Sequence, residues 1–265
     1  MKLLGGLGSV LLLVAQPLAA HSEGPVSATA LVQFAPPVDR PMTYRVTTRR
    51  IGRDGSLINF SLVYALQWRR IGRGYQLDAV LQRIDSDAPP AVTRALTLML
   101  QPLVAEPLVY LVAPDGSRID LVDPEGLWER AIGRIEAMGA KGRRAEAKQL
   151  AQLIAALPAA ERDRLATADV RALVASANGA IPVAGPTDGA SVSVQHGETM
   201  RTIAKVERAA AVGGSGQPLE IDHLWTIDTA TGLVMQERRQ SWIVDAGGAG
   251  RTLVEERVRA LEVVP

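Results

Sequence analysis

A run of strictly alternating side chains between Leu57 and Arg70 constrains the fold of this chain more than any other feature. The apolar members of the run are Ile58, Phe60, Leu62, Tyr64, Leu66 and Trp68. Successive side chains of a β-strand point to opposite faces of a sheet, so an alternation of this length predicts one long strand with one buried side. The polar residues between them, including Ser61 and Arg69, are then expected on a solvated face, which is typical of antiparallel sheets.

Two neighbouring segments repeat the alternation and complete a predicted three-stranded meander. They cover residues 42–50 and 75–81, and glycines mark the turns on either side of the long strand. Matching the apolar faces predicts four cross-strand pairs, which are Tyr44–Leu62, Val46–Phe60, Leu66–Leu77 and Trp68–Tyr75. A slip of one residue would turn an apolar set towards water, so the face of each strand is strongly specified.

The middle of the chain changes to helical periodicity. Apolar residues recur at helical spacing over residues 91–103, 127–135, 145–157 and on to about residue 177, with a hairpin over 107–122. Asp123, Pro124 and Glu125 are typical of a helix start, with an aspartate cap and proline at the first helical position. Strands return after residue 190, over 191–195, 199–208, 219–227, 233–244 and 251–264, and residues 228–232 form a hairpin loop.

These patterns predict an α+β fold. One curved or partly closed antiparallel sheet is expected, with a helical insertion over about residues 90–178 packed on its apolar face. Neither group of elements can bury its apolar side alone, so they should share one core. We expect a single domain over residues 41–265, preceded by an extended, proline-rich lead-in over residues 23–40.

The first 22 residues have the composition of a secretory signal peptide. Lys2 supplies the positive charge, residues 3–18 form an apolar run, and the cleavage region ends at Ala20 or Ser22. The run is shorter than a membrane-spanning helix and is broken by Pro17. We therefore predict a bacterial protein that is periplasmic or secreted, soluble after cleavage, and without a transmembrane segment in its mature chain.

The composition excludes several classes of function. The chain has no cysteine, which rules out disulfides, thiolate metal sites and a cysteine nucleophile. Its 29 basic and 28 acidic residues are nearly balanced, whereas a nucleic-acid-binding protein usually has a clear basic excess. The glycine clusters at 213–216 and 247–250 lack the strand-then-helix context of a phosphate-binding loop. We predict no nucleic-acid partner and no cofactor.

One histidine is a candidate for acid–base chemistry. His223 shares its predicted face with Trp225, and the five-residue loop would place Glu237 opposite it, where a carboxylate could orient the imidazole. No nucleophile accompanies the pair at a recognisable spacing, so we predict a structural contact, no catalytic residues and no enzymatic activity. An N-terminal His21 that binds copper with His196 or His223 is an alternative, but we predict no metal site.

Two functional hypotheses remain. In the first, a hydrophobic or amphiphilic ligand binds between the sheet and the helices, contacted by Tyr64, Trp68, Trp225 and His223. In the second, the core is fully packed and the outer sheet face meets an envelope protein partner or an anionic surface. Its contacts would be Arg45, Arg49 and Arg69.

The arrangement of strands around a helical insertion resembles that of exported bacterial proteins built as curved antiparallel sheets. It is distantly similar to the periplasmic lipoprotein-carrier half-barrels, in which helices plug the concave side of an open sheet. The resemblance covers residues 40–265 and includes no signature motif, so it implies a fold and no particular functional residue.

Overall fold

A computed structural model describes residues 33–51, 57–90, 93, 97, 100–142, 145–182, 190–209, 218–245 and 250–263. The predicted signal peptide, the first part of the lead-in and most of the predicted helix over 91–103 lie outside the described residues. No helix within these ranges is long and apolar enough to cross a bilayer.

Within the described residues, ten strands form one antiparallel sheet, as predicted. Their bounds are β1 Pro41–Ile51, β2 Leu57–Ile71, β3 Gly74–Ser86, β4 Pro107–Val112, β5 Ile119–Leu121, β6 Ala190–His196, β7 Met200–Ala209, β8 Leu219–Asp228, β9 Val234–Val244 and β10 Arg251–Val263. The order across the sheet is β5-β4-β3-β2-β1-β10-β9-β8-β7-β6. The first and last strands therefore pair at its centre, and this pairing joins two meanders that lie far apart in the sequence.

In the part of the chain that the structure describes, three helices lie between the two meanders in the sequence. They are α1 Pro124–Gly142, α2 Ala145–Ala156 and α3 Ala159–Leu173. The predicted start of α1 is confirmed, because Oδ1 of Asp123 accepts a hydrogen bond from the backbone N–H of Gly126 at 3.1 Å. The last three residues of the segment predicted to be helical over 91–103 form a short 3-10 turn, Gln101–Leu103.

The helices cover one side of the sheet, which we call the inner face. Tyr44, Trp68 and Leu77 of this face are buried against Leu127 of α1 and Leu173 of α3. The predicted α+β fold, with helices packed on the apolar face of an antiparallel sheet, is confirmed. The opposite side of the sheet, which we call the outer face, carries Arg45, Arg49 and Arg69.

Two smaller apolar clusters flank this core. Ala175, which follows α3, packs against Ile203, Trp225 and Ile227 on the second half of the sheet. The third cluster joins α1 to α2 through Ile135 and residues of α2. Helix α2 therefore rests mainly on another helix, while α3 lies against the sheet.

The strand faces of the first meander are as predicted, but its cross-strand pairs are wrong by two residues. Tyr44 lies opposite Tyr64, and Trp68 lies opposite Leu77. A shift of two residues leaves every side chain on the same face, so hydrophobic patterning cannot detect it. The turns decide the pairing, and β2 and β3 are joined by the two residues Gly72 and Arg73.

The predicted pairing of β8 with β9 is wrong for a related reason. Ile227 lies opposite Val234 and not Leu233, and a bulge between Thr226 and Ile227 shifts the register by one residue more. His223 therefore lies opposite Arg239, while Glu237 lies opposite Trp225. His223 and Glu237 nevertheless form the expected contact as diagonal neighbours.

The outer face is less solvated than the alternation suggested. Ser61 of β2 is buried, although it was expected on a face open to water, and Val63 on the same face is buried as well. Val63 lies between Arg45 on one neighbouring strand and Arg83 on the other. Long arginine side chains cover apolar surface with their methylene groups while their guanidinium groups stay in water, which accounts for this burial.

Candidate functional site: a cavity between the sheet and the helices

A cavity of about 400 Å³ lies between the inner face and the helices. Twenty residues line it, and most of them are aliphatic or aromatic: Tyr44, Leu62, Tyr64, Leu66, Ala79, Leu100, Leu103, Leu108, Tyr110, Leu127, Trp128, Leu150, Leu153, Ile154, Leu157, Leu165, Ala166, Asp169, Val170 and Leu173. This volume lies within the range of small-molecule binding sites.

Three tyrosines dominate the polar chemistry of the sheet wall. The hydroxyl of Tyr44 donates to the backbone carbonyl of Asp169 at 3.2 Å, and that of Tyr110 donates to the carbonyl of Ala166 at 2.8 Å. Burial raises the pKa of all three phenols, including Tyr64, well above the ordinary value. These side chains remain neutral and contribute aromatic surface to the cavity.

All three helices contribute to the helical wall, and α1 supplies Leu127 and Trp128. Leu150 and Ile154 of α2 pack beside the small cluster that joins α2 to α1, and both also line the cavity. Leu153 and Leu165 are cavity-lining residues with exposed fractions of 63% and 56%. Residues that line a cavity and also face water mark its opening, so the mouth lies between α2 and α3.

Asp169 is the charged residue of the cavity lining, and an arginine neutralises it. Nε and Nη2 of Arg259 both lie 3.0 Å from Oδ1 of Asp169, and Nη1 donates to Oε2 of Glu237 at 2.8 Å. Oε1 of Glu237 lies 3.0 Å from Nε2 of His223. A connected ionic network therefore runs from the cavity wall across strands β10, β9 and β8.

The network shifts the pKa of its members in opposite directions. Burial alone would raise the pKa of Glu237, but the His223 hydrogen bond and the charge of Arg259 hold this pKa below its ordinary value. Burial disfavours the charged guanidinium of Arg259, but Asp169 and Glu237 more than offset this effect and raise its pKa. Both groups are therefore ionised at neutral pH.

The four residues predicted to contact a ligand lie in different parts of the structure. Tyr64 lines the cavity. Trp68 is fully buried and packs edge-on against Phe34 and Tyr75, so it belongs to the solid core. Trp225 is buried in the second cluster, and His223 stacks on it with ring centroids 4.2 Å apart. These three residues do not line the cavity.

Two important lining residues were not singled out from the sequence. Tyr110 lies in the β4–β5 hairpin. Asp169 lies on a predicted helix, and the helical pattern does not indicate which residues it contacts. The leucine stripe of α2 was visible as a helical pattern, but nothing in it indicates that its residues border a space. Helical periodicity identifies the apolar side of a helix and leaves its partner unspecified.

The three outer-face arginines predicted to contact a partner each pair with a carboxylate of this chain. Arg45 lies 3.8 Å from Asp85, and Arg49 lies 3.0 Å from Glu256. Arg69 lies 3.2 Å from Asp78. These acids reduce the positive charge that the outer face offers to a partner.

Within the described part of the chain, no group of three or more His, Cys, Asp or Glu side chains is placed to hold a metal ion. His21, the first member of the copper alternative, lies outside the described residues.

Comparisons with known proteins give distant structural neighbours. No protein-family model and no curated protein matches the chain. A LolA superfamily protein from Nitrosomonas europaea is similar at 9% identity over 88% of this chain and 89% of its own, with a TM-score of 0.19. A protein assigned as AttH from the same bacterium is similar at 8% identity over 85% of this chain and 52% of its own, with a TM-score of 0.16. At these TM-scores neither similarity establishes a function.

Proposed function

We propose that this protein binds a hydrophobic or amphiphilic ligand in the cavity between its sheet and its helices. The observation that carries the proposal is the cavity itself, about 400 Å³ in volume and lined almost entirely by apolar side chains. Protein interiors are otherwise packed to the density of organic crystals, so an apolar space of this size between a sheet and its helices is typical of a ligand-binding site. A fully packed interaction module would have no such space.

The polar groups of the wall favour an apolar ligand. The hydroxyls of Tyr44 and Tyr110 already donate to backbone carbonyls, and the carboxylate of Asp169 is held by Arg259. A ligand inside the cavity therefore meets aromatic and aliphatic surface, and its binding free energy comes mainly from removing apolar area from water. An acyl chain has this chemistry.

The proposal does not include catalysis. His223 and Glu237 belong to a network that connects the sheet to α3, and neither residue lines the cavity. Nε2 of His223 is hydrogen-bonded to Glu237, whose other carboxylate oxygen is held by Arg259, so the pair serves the network. The predicted signal peptide over residues 1–22 supports a role in the bacterial envelope, where acyl chains are abundant.

The test combines recovery of the native ligand with a cavity-filling variant. Native mass spectrometry of the protein purified from a bacterial envelope should reveal a co-purifying lipid, and the delipidated protein should bind the neutral dye Nile red. Ala166→Phe places a ring in the cavity from α3 and should weaken dye binding about tenfold, the equivalent of about 1.4 kcal/mol. Ala168→Phe, at an exposed position of the same helix, is the matched control and should bind as the wild type does.

Equal dye binding by the wild type and both variants would show that the dye binds elsewhere and would contradict the proposal. Absence of both co-purifying lipid and dye uptake would favour the interaction module instead. Circular dichroism of the two variants must show that each remains folded.

A further inference from the structure

A row of four basic residues crosses the inner face on strands β7 to β10. Lys205 lies opposite His223, His223 lies opposite Arg239, and Arg239 lies opposite Arg257. We call these residues the cationic row. Each member of the row lies two positions along its strand from a residue on the inner face, and residues two apart share a face. The four inner-face residues are Ile203, Trp225, Glu237 and Arg259.

Only part of this charge is balanced within the described structure. Lys205 pairs with Glu207, and His223 bonds Glu237. Arg239 and Arg257 face each other directly across β9 and β10, and neither forms an ion pair or side-chain hydrogen bond with a described residue. Nε of Arg257 is buried and has no hydrogen-bond partner there.

Two arginines in this arrangement are unfavourable without a counter-ion. Like charges directly opposite each other on a sheet destabilise it, and a buried guanidinium nitrogen without an acceptor loses its hydration. An anion between the two side chains would remove both costs. The planar guanidinium matches the two oxygens of a carboxylate or a phosphate, which it binds through paired hydrogen bonds.

We propose that Arg239 and Arg257 bind an anionic group, a carboxylate or a phosphate, and that this group is the polar end of the ligand whose apolar part occupies the cavity. The second half of this inference rests on the proposed function. Arg257 lies two residues, roughly 7 Å along strand β10, from Arg259, whose guanidinium holds the cavity-lining Asp169.

The experiment compares three probes on the full chain. Palmitate carries an apolar chain and an anion, hexadecanol carries only the chain, and inorganic phosphate carries only the anion. The variants are Arg239→Gln and Arg257→Gln, with Arg238→Gln as the matched control because it is exposed on the outer face of the same strand. Each glutamine variant should fold, since it removes one of two like charges.

Each arginine variant should weaken palmitate binding about tenfold or more, because a charge-assisted hydrogen bond is lost. Hexadecanol binding and the control variant should be unaffected. An increase of the melting temperature by phosphate in the wild type that disappears in Arg239→Gln and Arg257→Gln would support the anion site directly. If that loss occurred with palmitate affinity unchanged, the site would take a free anion and the headgroup assignment would be overturned.

Wild-type affinities for both palmitate and phosphate in the two arginine variants would overturn the anion site while leaving the cavity proposal intact. Failure of the wild type to bind palmitate and hexadecanol would instead overturn the proposed function. The phosphate measurement would still decide the anion site in that case.

Discussion

Arg259 of strand β10 donates from Nε to Oδ1 of Asp169 on helix α3 at 3.0 Å, and this ion pair connects the sheet directly to the helix beside the cavity. The side chain of Arg259 is only 10% exposed, and its other contact, at 2.8 Å, is the buried carboxylate of Glu237. One guanidinium thus balances two carboxylates at the wall of the proposed binding site.

Replacing Arg259 should destabilise the protein strongly. Arg259→Met leaves Asp169 and Glu237 without their shared cation, and removing one member of a buried ion pair typically costs about 3–5 kcal/mol. Urea unfolding followed by circular dichroism measures this loss. Arg118→Met is the control, because the Arg118 side chain is 77% exposed beside Asp120 and its removal should change stability by less than about 1 kcal/mol. Similar losses for both variants would contradict the importance of the buried network.

Acid should destabilise the protein through Glu237. The folded-state pKa of this carboxyl is below its ordinary value of 4.5, so its stabilising contribution is fully present above pH 4.5 and is lost as the pH falls through the folded-state pKa. We expect Glu237→Gln to be less stable than the wild type at neutral pH. The difference should shrink as the pH is lowered below 4.5, and melting temperatures at a series of pH values would show it. A difference independent of pH would contradict this assignment.

Two glycines should respond in opposite ways to alanine. Gly116 has a φ of +75°, and a Cβ there would lie 2.6 Å from Cβ of Ala177 and 2.9 Å from Cγ of Phe34. Gly116→Ala should therefore cost more than about 1 kcal/mol. Gly133 lies exposed within α1 with open space around it, so Gly133→Ala should stabilise by about 0.5–1 kcal/mol. Thermal unfolding of both variants provides the measurement, and equal shifts in one direction would refute the contrast.

The exposed leucines at the cavity mouth should matter for binding more than for stability. Leu153→Ala and Leu165→Ala remove apolar surface that α2 and α3 offer to a ligand, and each should weaken Nile red binding about threefold to tenfold. Leu111→Ala is the control, since Leu111 is exposed on β4 and does not line the cavity. Unchanged affinity in both mouth variants would place the ligand entrance elsewhere.

Local patterns in the sequence predict much of the fold. The alternation around Tyr64 and Trp68 predicts the faces of β2, and Asp123 with Pro124 predicts the start of α1. Both signals are local, because side-chain direction repeats every two residues in a strand and caps lie within one turn of a helix. The α+β class follows from the need of the sheet and the helices to bury their apolar sides together.

The candidate site was predicted only in part. The position of a ligand between the sheet and the helices was an expectation, and Tyr64 does line a cavity there. Trp68 and Trp225 were chosen with it because large aromatic residues favour both ligand contacts and cores. Packing density distinguishes these two environments, and it depends on neighbours from distant parts of the chain.

Local sequence patterns were enough to predict which residues of each strand share a face, where α1 begins, and that sheet and helices share a core. Three features required the folded chain: the final choice between strand pairings that differ by two residues, the space between the sheet and the helices, and the contact between Arg259 and Asp169. The two groups of features differ in how far apart along the chain the interacting residues lie. Periodicity acts between residues a few positions apart, whereas a cavity and a buried ion pair depend on how whole elements pack, and here the paired residues are 90 positions apart in the chain.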